Sequence, residues 1–599
     1  MTKMVARHKT NDTMKRNYFS ILSLLGVLGL ASCEKVLDKT DLGSVNGSLI
    51  FKDSVLARMN LDYIYDQNLP TWGGTWGSRP DLSDESSGES KYFEGTLLVN
   101  DVADFGTALN ATNNYGKIRV INTFINDVNA GTIAQAAKNR LNAQAQFFRA
   151  WRYFDLVRLY GGVPLVTKPL QAVGVEARDA AFLSRNTTTE TYKQIANDLD
   201  SAILFLPGKW GSSDWGRITK GGAAALKGKA LLYAASPQFN PTDDAAKWQA
   251  SYTANKQAYD LLVANGYGLH ASFDQLWFQE VNNPEAVFLT GFNTSTGDQT
   301  RKNNGYDNST RPSYAGTAGG SNQPSWEMVK AFPMKDGKKV GESTKYTYSD
   351  QLFYKNRDPR FDKTIAYNGV NWPLNGNTSY KLWTYFAAGK TVEVKASNTG
   401  FYTRKAINPT VGVSDVQFSG TDWIEIRFAE VLLNLAESAC GINNLDEAYT
   451  HLKAIRKRAG IEAGADGLYG LKASMTRTEM FEAILFERQL EFAFEGKRFW
   501  DLRRWKLIEK TLNGKRRTGV TINLKTTGVP ADFATTRDNV DLDEAYTKYF
   551  TIVTKQLDTK YAINWKPEYY FFAIPQSAID NNPKIIQNNT WGGGFDPLK

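Results

Sequence analysis

Residues 141–160 (LNAQAQFFRAWRYFDLVRLY) are apolar at helical spacing on nearly every side. Phe147, Trp151 and Phe154 share one face of such a helix, and a second face carries Tyr153, Leu156, Val157 and Tyr160. A helix that is apolar nearly all round must be buried by other elements. Gly161 and Pro164 then mark its end. The sequence therefore predicts a central helix that the rest of the chain surrounds.

Other segments of helical character lie on both sides of this one. They comprise residues 189–206, 220–236, 424–438, 445–458 and 477–505. Gly460 follows one of them, and Thr476 with Glu479 has the spacing of a capping box before another. Neighbouring helices of this length favour a mainly α fold of paired, tetratricopeptide-like helices, although the spacing is irregular and the repeat consensus is absent.

Residues 282–421 differ in character, because Gly, Asn, Thr, Ser and Tyr replace the long apolar periods. Such composition predicts an irregular, loop-rich face with short strands. The mature chain is accordingly divided into an N-terminal helical part at about 49–281, a loop-rich insertion at about 282–421 and a C-terminal helical part at about 422–599, all within one domain.

The N-terminus has the features of an export signal. Basic residues precede a short apolar run, residues 21–30, which is too short to span a bilayer. Leu30-Ala-Ser-Cys33 follows and matches a bacterial lipobox, so residues 1–32 are predicted to be removed and Cys33 to be acylated. Residues 33–48 are polar and form the predicted tether. The alternative is an ordinary secretory signal with an incidental cysteine.

Composition excludes several classes of function. The chain has three histidines and two cysteines, too few for a His- or Cys-rich metal cage. Loss of residues 1–32 removes five basic residues and one acidic residue, which lowers the net charge from +9 to +5. A balance this modest, without a basic block, does not predict nucleic-acid binding. No cofactor or metal is predicted, and the sequence leaves open whether a calcium ion contributes.

Three glutamates, Glu487, Glu491 and Glu495, are spaced like the residues of one helix face. A glycosidase requires two carboxyl groups on opposite sides of the scissile bond, which neighbours on one helix rarely provide. We expect these carboxylates to form structural ion pairs instead. The arginines interleaved with them are the predicted partners: Arg488, Arg498, Arg503 and Arg504.

Several motifs occur in a fixed order along these helices. They are residues 115–122, 148–164, 216–220, 231–235, 357–360, 427–437, 455–460, 487–498, 501–505, 573–575, 582–583 and 587–588. In these motifs and in the lipobox the chain resembles the SusD/RagB family of Bacteroidota outer-membrane nutrient-binding lipoproteins. The resemblance implies a scaffold of tetratricopeptide-like helix pairs, display outside the cell, and no catalytic role. It also implies a partner, a SusC-like TonB-dependent transporter in the outer membrane.

The resemblance transfers no ligand-binding residue, since the family places these mainly in variable loops. We therefore select aromatic residues in turn-rich segments, because flat rings stack on the apolar faces of sugars. Packing beneath a loop is the alternative role for each. Trp151, Trp423, Trp500 and Trp505 lie in or beside the helical motifs and are predicted to be core. The candidate ligand contacts are Trp72, Trp76, Tyr306, Tyr314, Trp372 and Trp383, with Asp84 as a neighbouring acid.

These observations predict a non-catalytic, lipid-anchored surface protein that captures a nutrient, most plausibly an oligosaccharide, for the transporter. Two other functions stay open. The first is a secreted glycoside hydrolase using Asp81, Asp84 or Glu85. The second is a scaffold that completes the transporter complex and binds no ligand. The glycan, its linkage and its length are not encoded in any motif found here.

Overall fold

The computed structural model describes residues 50–74, 79–102, 105, 113–171, 173–293, 303–312, 322–393, 396–412 and 415–599. The predicted signal peptide, Cys33 and the tether lie outside these residues, as do Trp76 and Tyr314. None of the helices within the described ranges is both long and apolar enough to cross a membrane.

Helices dominate the two ends of the described chain. In the N-terminal half they are α1 (Ser54–Asn68), α2 (Lys91–Glu94), α3 (Asn114–Ala130), α4 (Gln135–Tyr160), α5 (Val175–Ala181), α6 (Thr188–Phe205), α7 (Lys220–Ala235) and α8 (Ala245–Ala264). Short helices follow: α9 (Tyr306–Thr310), α10 (Trp326–Ala331) and α11 (Phe361–Thr364). The C-terminal half contains α12 (Phe428–Gly441), α13 (Leu445–Ala459), α14 (Arg477–Glu491), α15 (Arg498–Arg504), α16 (Ile508–Leu512), α17 (Phe533–Thr536), α18 (Leu542–Glu544) and α19 (Gln576–Asn581).

Helix α4 is the predicted central helix. Every residue from Phe147 to Tyr160 is buried, and α1, α3, α6 and α7 pack against it. The helix ends at Gly161, whose φ of 76° favours glycine; a Cβ there would lie 2.7 Å from Pro597. The predicted core positions Trp151, Trp423 and Trp500 are buried, and Trp505 is half-buried. The all-round apolar pattern therefore identified the centre of the fold correctly.

The strands are short and lie mostly in or beside the loop-rich region. They are β1 (Ala286–Thr290), β2 (Ile365–Ala366), β3 (Val370–Asn371), β4 (Lys381–Leu382), β5 (Phe386–Ala387), β6 (Lys390–Thr391), β7 (Tyr402–Thr403), β8 (Trp423–Arg427), β9 (Thr518–Leu524) and β10 (Phe550–Gln556). β9 and β10 form an antiparallel ladder in a sheet of order β10-β9-β5-β6. The predicted mainly α scaffold with an irregular, strand-containing face is confirmed.

Strand β1 precedes most of the loop-rich region and β8 follows it. The two pair antiparallel, with Leu289 opposite Ile424 and Thr290 opposite Trp423. Both ends of the insertion therefore meet in one two-stranded sheet. The interior of the region has a hydrophobic cluster of its own, rich in aromatic residues such as Trp326, Phe353 and Phe361.

Two predicted helix boundaries are wrong. The helix expected over residues 424–438 starts only at Phe428, because the preceding residues form β8. The helix expected over residues 477–505 is broken after Glu491, where Phe494 and Gly496 adopt positive φ values of 60° and 69°. The capping box of Thr476 and Glu479 at its start is confirmed. The break matters for function because it removes Glu495 from the helix face shared by Glu487 and Glu491.

Candidate functional site

The three glutamates that most resembled a catalytic set are structural. Glu491 is buried and accepts hydrogen bonds from Arg427 (2.7 Å), from Arg360 (2.8 Å) and from Arg458. Burial alone would raise the pKa of Glu491, but the cations Arg458, Arg427 and Arg360 outweigh burial and lower it. Glu487 likewise binds Arg456 at 2.7 Å. A carboxylate enclosed by three arginines is held ionised and out of reach of a substrate, which confirms the predicted structural role.

The identity of the partners differs from the prediction. Glu495 pairs with Arg427 at 2.8 Å and with Lys405 at 2.5 Å. The interleaved arginines bind other groups, because the break after α14 turns them away from the glutamates. Arg488 binds Asp501, Arg498 binds Asp84, Arg503 donates to the carbonyl groups of Arg158 and Tyr570, and Arg504 binds Glu437 and Asp501.

Asp84, the acidic candidate for ligand contact, is buried. Nε and Nη2 of Arg498 each donate to its carboxylate at 2.8 Å. Burial would raise the pKa of Asp84, yet the charge and hydrogen bonds of Arg498 lower it. The prediction that Asp84 faces a ligand is therefore corrected: both oxygens are used to fasten the loop to α15.

Arg517 of β9 holds the same loop from within. Its guanidinium donates to the carbonyl oxygens of Asp81 (2.8 Å), Ser86 (2.8 Å) and Gly88 (3.0 Å), and to the carboxylate of Asp558 (2.8 Å). A single buried cation thus satisfies the inward-facing carbonyl groups of residues 81–88. The polar composition of this segment reflects a rigid, internally bonded loop.

Trp372 and Trp383 belong to the core of the loop-rich region. Trp372 is 1% exposed and Trp383 is 5% exposed. The Nε1–H of Trp383 donates to Asp538 at 2.6 Å, and its ring packs on Phe533 and Phe550. Neither indole offers a face to solvent, so these two candidates are corrected to packing residues, the alternative role stated for them above.

Trp72 and Tyr306 are brought together. Their ring centroids are 4.5 Å apart, and Trp72 also lies 5.3 Å from Trp423 and 6.1 Å from Trp277. Trp72 is half-buried, whereas Tyr306 is 8% exposed and donates its hydroxyl to the carbonyl oxygen of Lys405 at 3.1 Å. Tyr306 therefore supports Trp72 from below, and Trp72 is the more accessible ring of the pair.

A cleft of about 520 Å³ opens beside this aromatic group. Trp277 is common to both, since its ring contacts Trp72 and also lines the cleft. The other lining residues are Phe278, Glu280, Asn408, Thr410, Val411, Gly412, Asp415, Phe418, Gly420 and Thr421. The arrangement combines aromatic surface with amide, hydroxyl and carboxylate groups, which is typical of a small-molecule or sugar site.

The cleft wall at residues 408–421 is fixed from behind. Arg311 donates to the carbonyl oxygen of Asn408 and, at 3.2 Å, to that of Val411. Asn304 exchanges two backbone hydrogen bonds with Ser419, at 2.9 and 3.2 Å, and its side chain donates to the carbonyl oxygen of Thr421 at 2.9 Å. These bonds give a loop without regular structure a defined shape.

Acidic groups lie along one side of the cleft. Glu280 and Asp415 are exposed lining residues, and Asp422 is buried directly after Thr421. Burial, assisted by the nearby charge of Glu280, raises the pKa of Asp422 to about 7. Its Oδ1 accepts the N–H of Phe292 at 2.9 Å.

The cleft residues were not found from the sequence. Trp277 and Phe278 were assigned to the end of the helical part, and residues 408–421 to the end of the insertion. The missing signal was the pairing of β1 with β8, which brings the two ends of the insertion together. Aromatic residues just outside a composition change, such as Trp277 and Phe278, would have been the clue.

Comparison with known proteins places this geometry in context. Residues 284–591 match the family model described as "SusD family", and residues 84–232 match one described as "Starch-binding associating with outer membrane". The first match alone spans half of the chain. The protein belongs to the SusD family. The resemblance noted from the sequence motifs is thereby confirmed.

Individual SusD-family relatives are distant in sequence but similar in fold. SusD-like protein P2 of Formosa agariphila is 24% identical over 459 residues, which cover 76% of this chain and 79% of that protein. The crystal structure of a SusD-like protein from Bacteroides fragilis superimposes with a TM-score of 0.70 at 23% identity, covering 91% of this chain and 98% of that one. A structure titled a SusD-like carbohydrate binding protein, also from Bacteroides fragilis, gives a TM-score of 0.68 at 23% identity, with 89% and 99% covered.

Metal-ligating side chains are not clustered in the part of the chain that the structure describes. Within those ranges no group of three or more His, Cys, Asp or Glu residues is arranged to hold an ion. Glu280, Asp415 and Asp422 therefore stand at the cleft as separate acids. The chemistry available to the described cleft is stacking, hydrogen bonding and electrostatic attraction.

Proposed function

We propose that this SusD-family protein is a lipid-anchored receptor outside the cell that captures an oligosaccharide and passes it to a SusC-like TonB-dependent transporter of the outer membrane. The observation that carries the proposal is the aromatic-lined cleft of about 520 Å³ beside Trp72. Its position in a family described as starch-binding and outer-membrane-associated supports it. Acylation of Cys33 would provide the anchor.

Binding in this cleft needs no covalent chemistry. The rings of Trp72, Trp277 and Phe278 offer apolar surface for the flat faces of pyranose rings. Asn408 and Thr410 lie on the facing wall with amide and hydroxyl groups that suit sugar hydroxyls. Trp76 stays a candidate platform with Trp72, and Tyr314 with Tyr306. The preformed wall favours affinity because little loop ordering is left to occur on binding.

A glycoside hydrolase is the second candidate function, since Glu280 and Asp415 both line the cleft. Two carboxyl groups flanking a sugar are the minimum for hydrolysis. Of the acids suggested by the sequence, Asp84 is ion-paired and Glu85 is buried, so neither favours this function. The hydrolase predicts product release that stops in Glu280→Gln and Asp415→Asn variants, whereas the receptor predicts binding without product.

The decisive experiment uses the mature chain, residues 34–599, in calorimetry and affinity electrophoresis against plant, algal, fungal and host polysaccharides. We expect one glycan class to bind, with affinity lost in Trp72→Ala and Phe278→Ala. Tyr63→Ala is the matched control, because Tyr63 is an exposed ring on α1 that does not line the cleft. If no glycan binds, the oligosaccharide proposal fails, and co-purification with the transporter tests the scaffold role that remains.

A further inference from the structure

Helix α1 exposes an apolar stripe. Val55 is 64% exposed, Met59 63%, Tyr63 48% and Leu56 36%. At 100° per residue, these four side chains fall within an arc of about 100°, the width of a helix face that packs on another element. Large apolar side chains exposed singly are ordinary, but a continuous stripe over two turns marks an interaction surface.

The remaining surface of α1 is already occupied within the chain. The opposite face is buried in the helical core through Ala57, Leu61, Ile64 and Tyr65. Along the charged border of the stripe, Arg58 pairs with Asp214, and Asp62 pairs with Arg217 at 2.5 Å. Because these charges are satisfied internally, the stripe offers a partner apolar surface with little polar desolvation to overcome.

The position of α1 in the chain indicates where that partner lies. Sixteen residues, 34–49, separate α1's side of the chain from Cys33. A segment of sixteen residues spans at most about 55 Å when fully extended. An acylated Cys33 would therefore keep the stripe close to the outer membrane, within reach of the external surface of an embedded protein.

Charge distinguishes a protein partner from the lipid itself. Helices that lie on membranes combine their apolar face with a basic polar face. Residues 50–69 contain Lys52 and Arg58 but three acidic residues, Asp53, Asp62 and Asp66. This acidic excess disfavours adsorption to anionic headgroups, and a protein surface is the better match.

We propose that Val55, Leu56, Met59 and Tyr63 form the face on which the external surface of the membrane-embedded transporter docks. This inference rests on the proposed function, which supplies the transporter. Helix α1 ends at Asn68, four residues before Trp72 of the aromatic group. Docking on α1 would therefore hold the N-terminal side of the ligand site directly against the transporter.

The test uses the full-length lipoprotein, affinity-tagged, in outer membranes of its native host. We expect the wild-type protein to co-purify from detergent extracts with a TonB-dependent transporter in constant ratio. Met59→Asp and Val55→Asp should each lower that ratio at least tenfold. Leu204→Asp is the matched control, because Leu204 is 69% exposed on α6, away from the stripe, and should leave the ratio unchanged. Equal recovery with all variants would overturn the proposal.

Other occupants of the stripe give different results. Sedimentation of the mature chain with phosphatidylglycerol-containing vesicles, lost in Met59→Asp, would show a lipid-binding face and overturn the proposal. A dimer in light scattering that dissociates in Met59→Asp would assign the stripe to a second copy and also overturn it. Calorimetry with the bound glycan separates the two proposals: Met59→Asp should keep wild-type glycan affinity, and loss of glycan binding in wild type would reject the receptor instead.

Discussion

Arg311 and Asp307 form a fully buried ion pair immediately behind the wall of the cleft. The carboxylate of Asp307 accepts a hydrogen bond from Nη2 of Arg311 at 3.1 Å, and neither side chain is exposed. The same guanidinium donates to the carbonyl oxygens of Asn408 and Val411. One buried cation therefore connects the short helix α9 to the loop that shapes the ligand site.

We expect Arg311→Lys to weaken glycan binding. Lysine keeps the charge beside Asp307 but cannot reproduce the planar fork that reaches both carbonyl groups. Each lost hydrogen bond in a buried site costs about 1–3 kcal/mol, so the wall should loosen and Kd should rise roughly tenfold or more. Calorimetry with the bound glycan provides the measurement.

The control for this variant is Arg404→Lys. Arg404 donates to the carbonyl oxygen of Asn371 at 3.0 Å but does not line the cleft. It should lose a comparable bond without a change in Kd. An unchanged Kd in Arg311→Lys would mean that the wall keeps its shape without this support.

Glu491→Gln is expected to destabilise the whole fold. Three arginines, Arg360, Arg427 and Arg458, meet on this one carboxylate, so its neutralisation leaves buried positive charge uncompensated. Breaking a buried pair of this kind costs roughly 3–5 kcal/mol in the free energy of unfolding. Urea denaturation followed by tryptophan fluorescence measures the loss.

Glu462→Gln serves as the comparison for Glu491→Gln. Glu462 pairs with Lys345 at the surface, where solvent screens the attraction, and its replacement should change the unfolding midpoint little. Equal effects of the two substitutions would show that the buried network does not carry the stability assigned to it.

Glu85 should make stability depend on pH. Burial, assisted by Asp84, raises the pKa of Glu85 to about 8, while the N–H of Phe494, 2.9 Å from Oε1, acts in the opposite direction. Arg498 and Lys405 also lower this pKa. The folded protein thus retains a proton that the unfolded chain releases near its ordinary pKa of 4.5. Stability should fall as pH rises from about 5 to about 8, by up to about 1.4 kcal/mol per pH unit.

Glu85→Gln removes this ionisation and keeps the acceptor for Phe494. We therefore expect the variant to match the wild type at pH 5 and to exceed its free energy of unfolding at pH 8.5. Denaturation curves at pH 5, 7 and 8.5 provide the check. Parallel curves for the two proteins across this range would assign the pH dependence to other groups.

The sequence predicted the scaffold better than the site, for a physical reason. A helix such as α4 is specified by its own residues, because the apolar pattern, Gly161 and Pro164 are all local. The cleft depends on contacts between distant segments, namely β1 with β8 and Arg311 with Asn408. Trp72 was found because its glycine-rich surroundings are local too. Trp372 and Trp383 were misassigned because turn-rich composition does not reveal the aromatic core that those turns enclose.

Trp372 and Trp72 should separate stability from binding. Trp372→Ala empties a fully buried site in the loop-rich region and is expected to cost roughly 3–5 kcal/mol of unfolding free energy. Its glycan affinity, measured below the unfolding transition, should equal that of the wild type because the ring does not line the cleft. Trp72→Ala should show the reverse, with affinity lost at smaller cost in stability, since Trp72 is half-buried. If Trp372→Ala instead abolished binding while remaining folded, the ligand would lie against the loop-rich core and the site would have to be moved there.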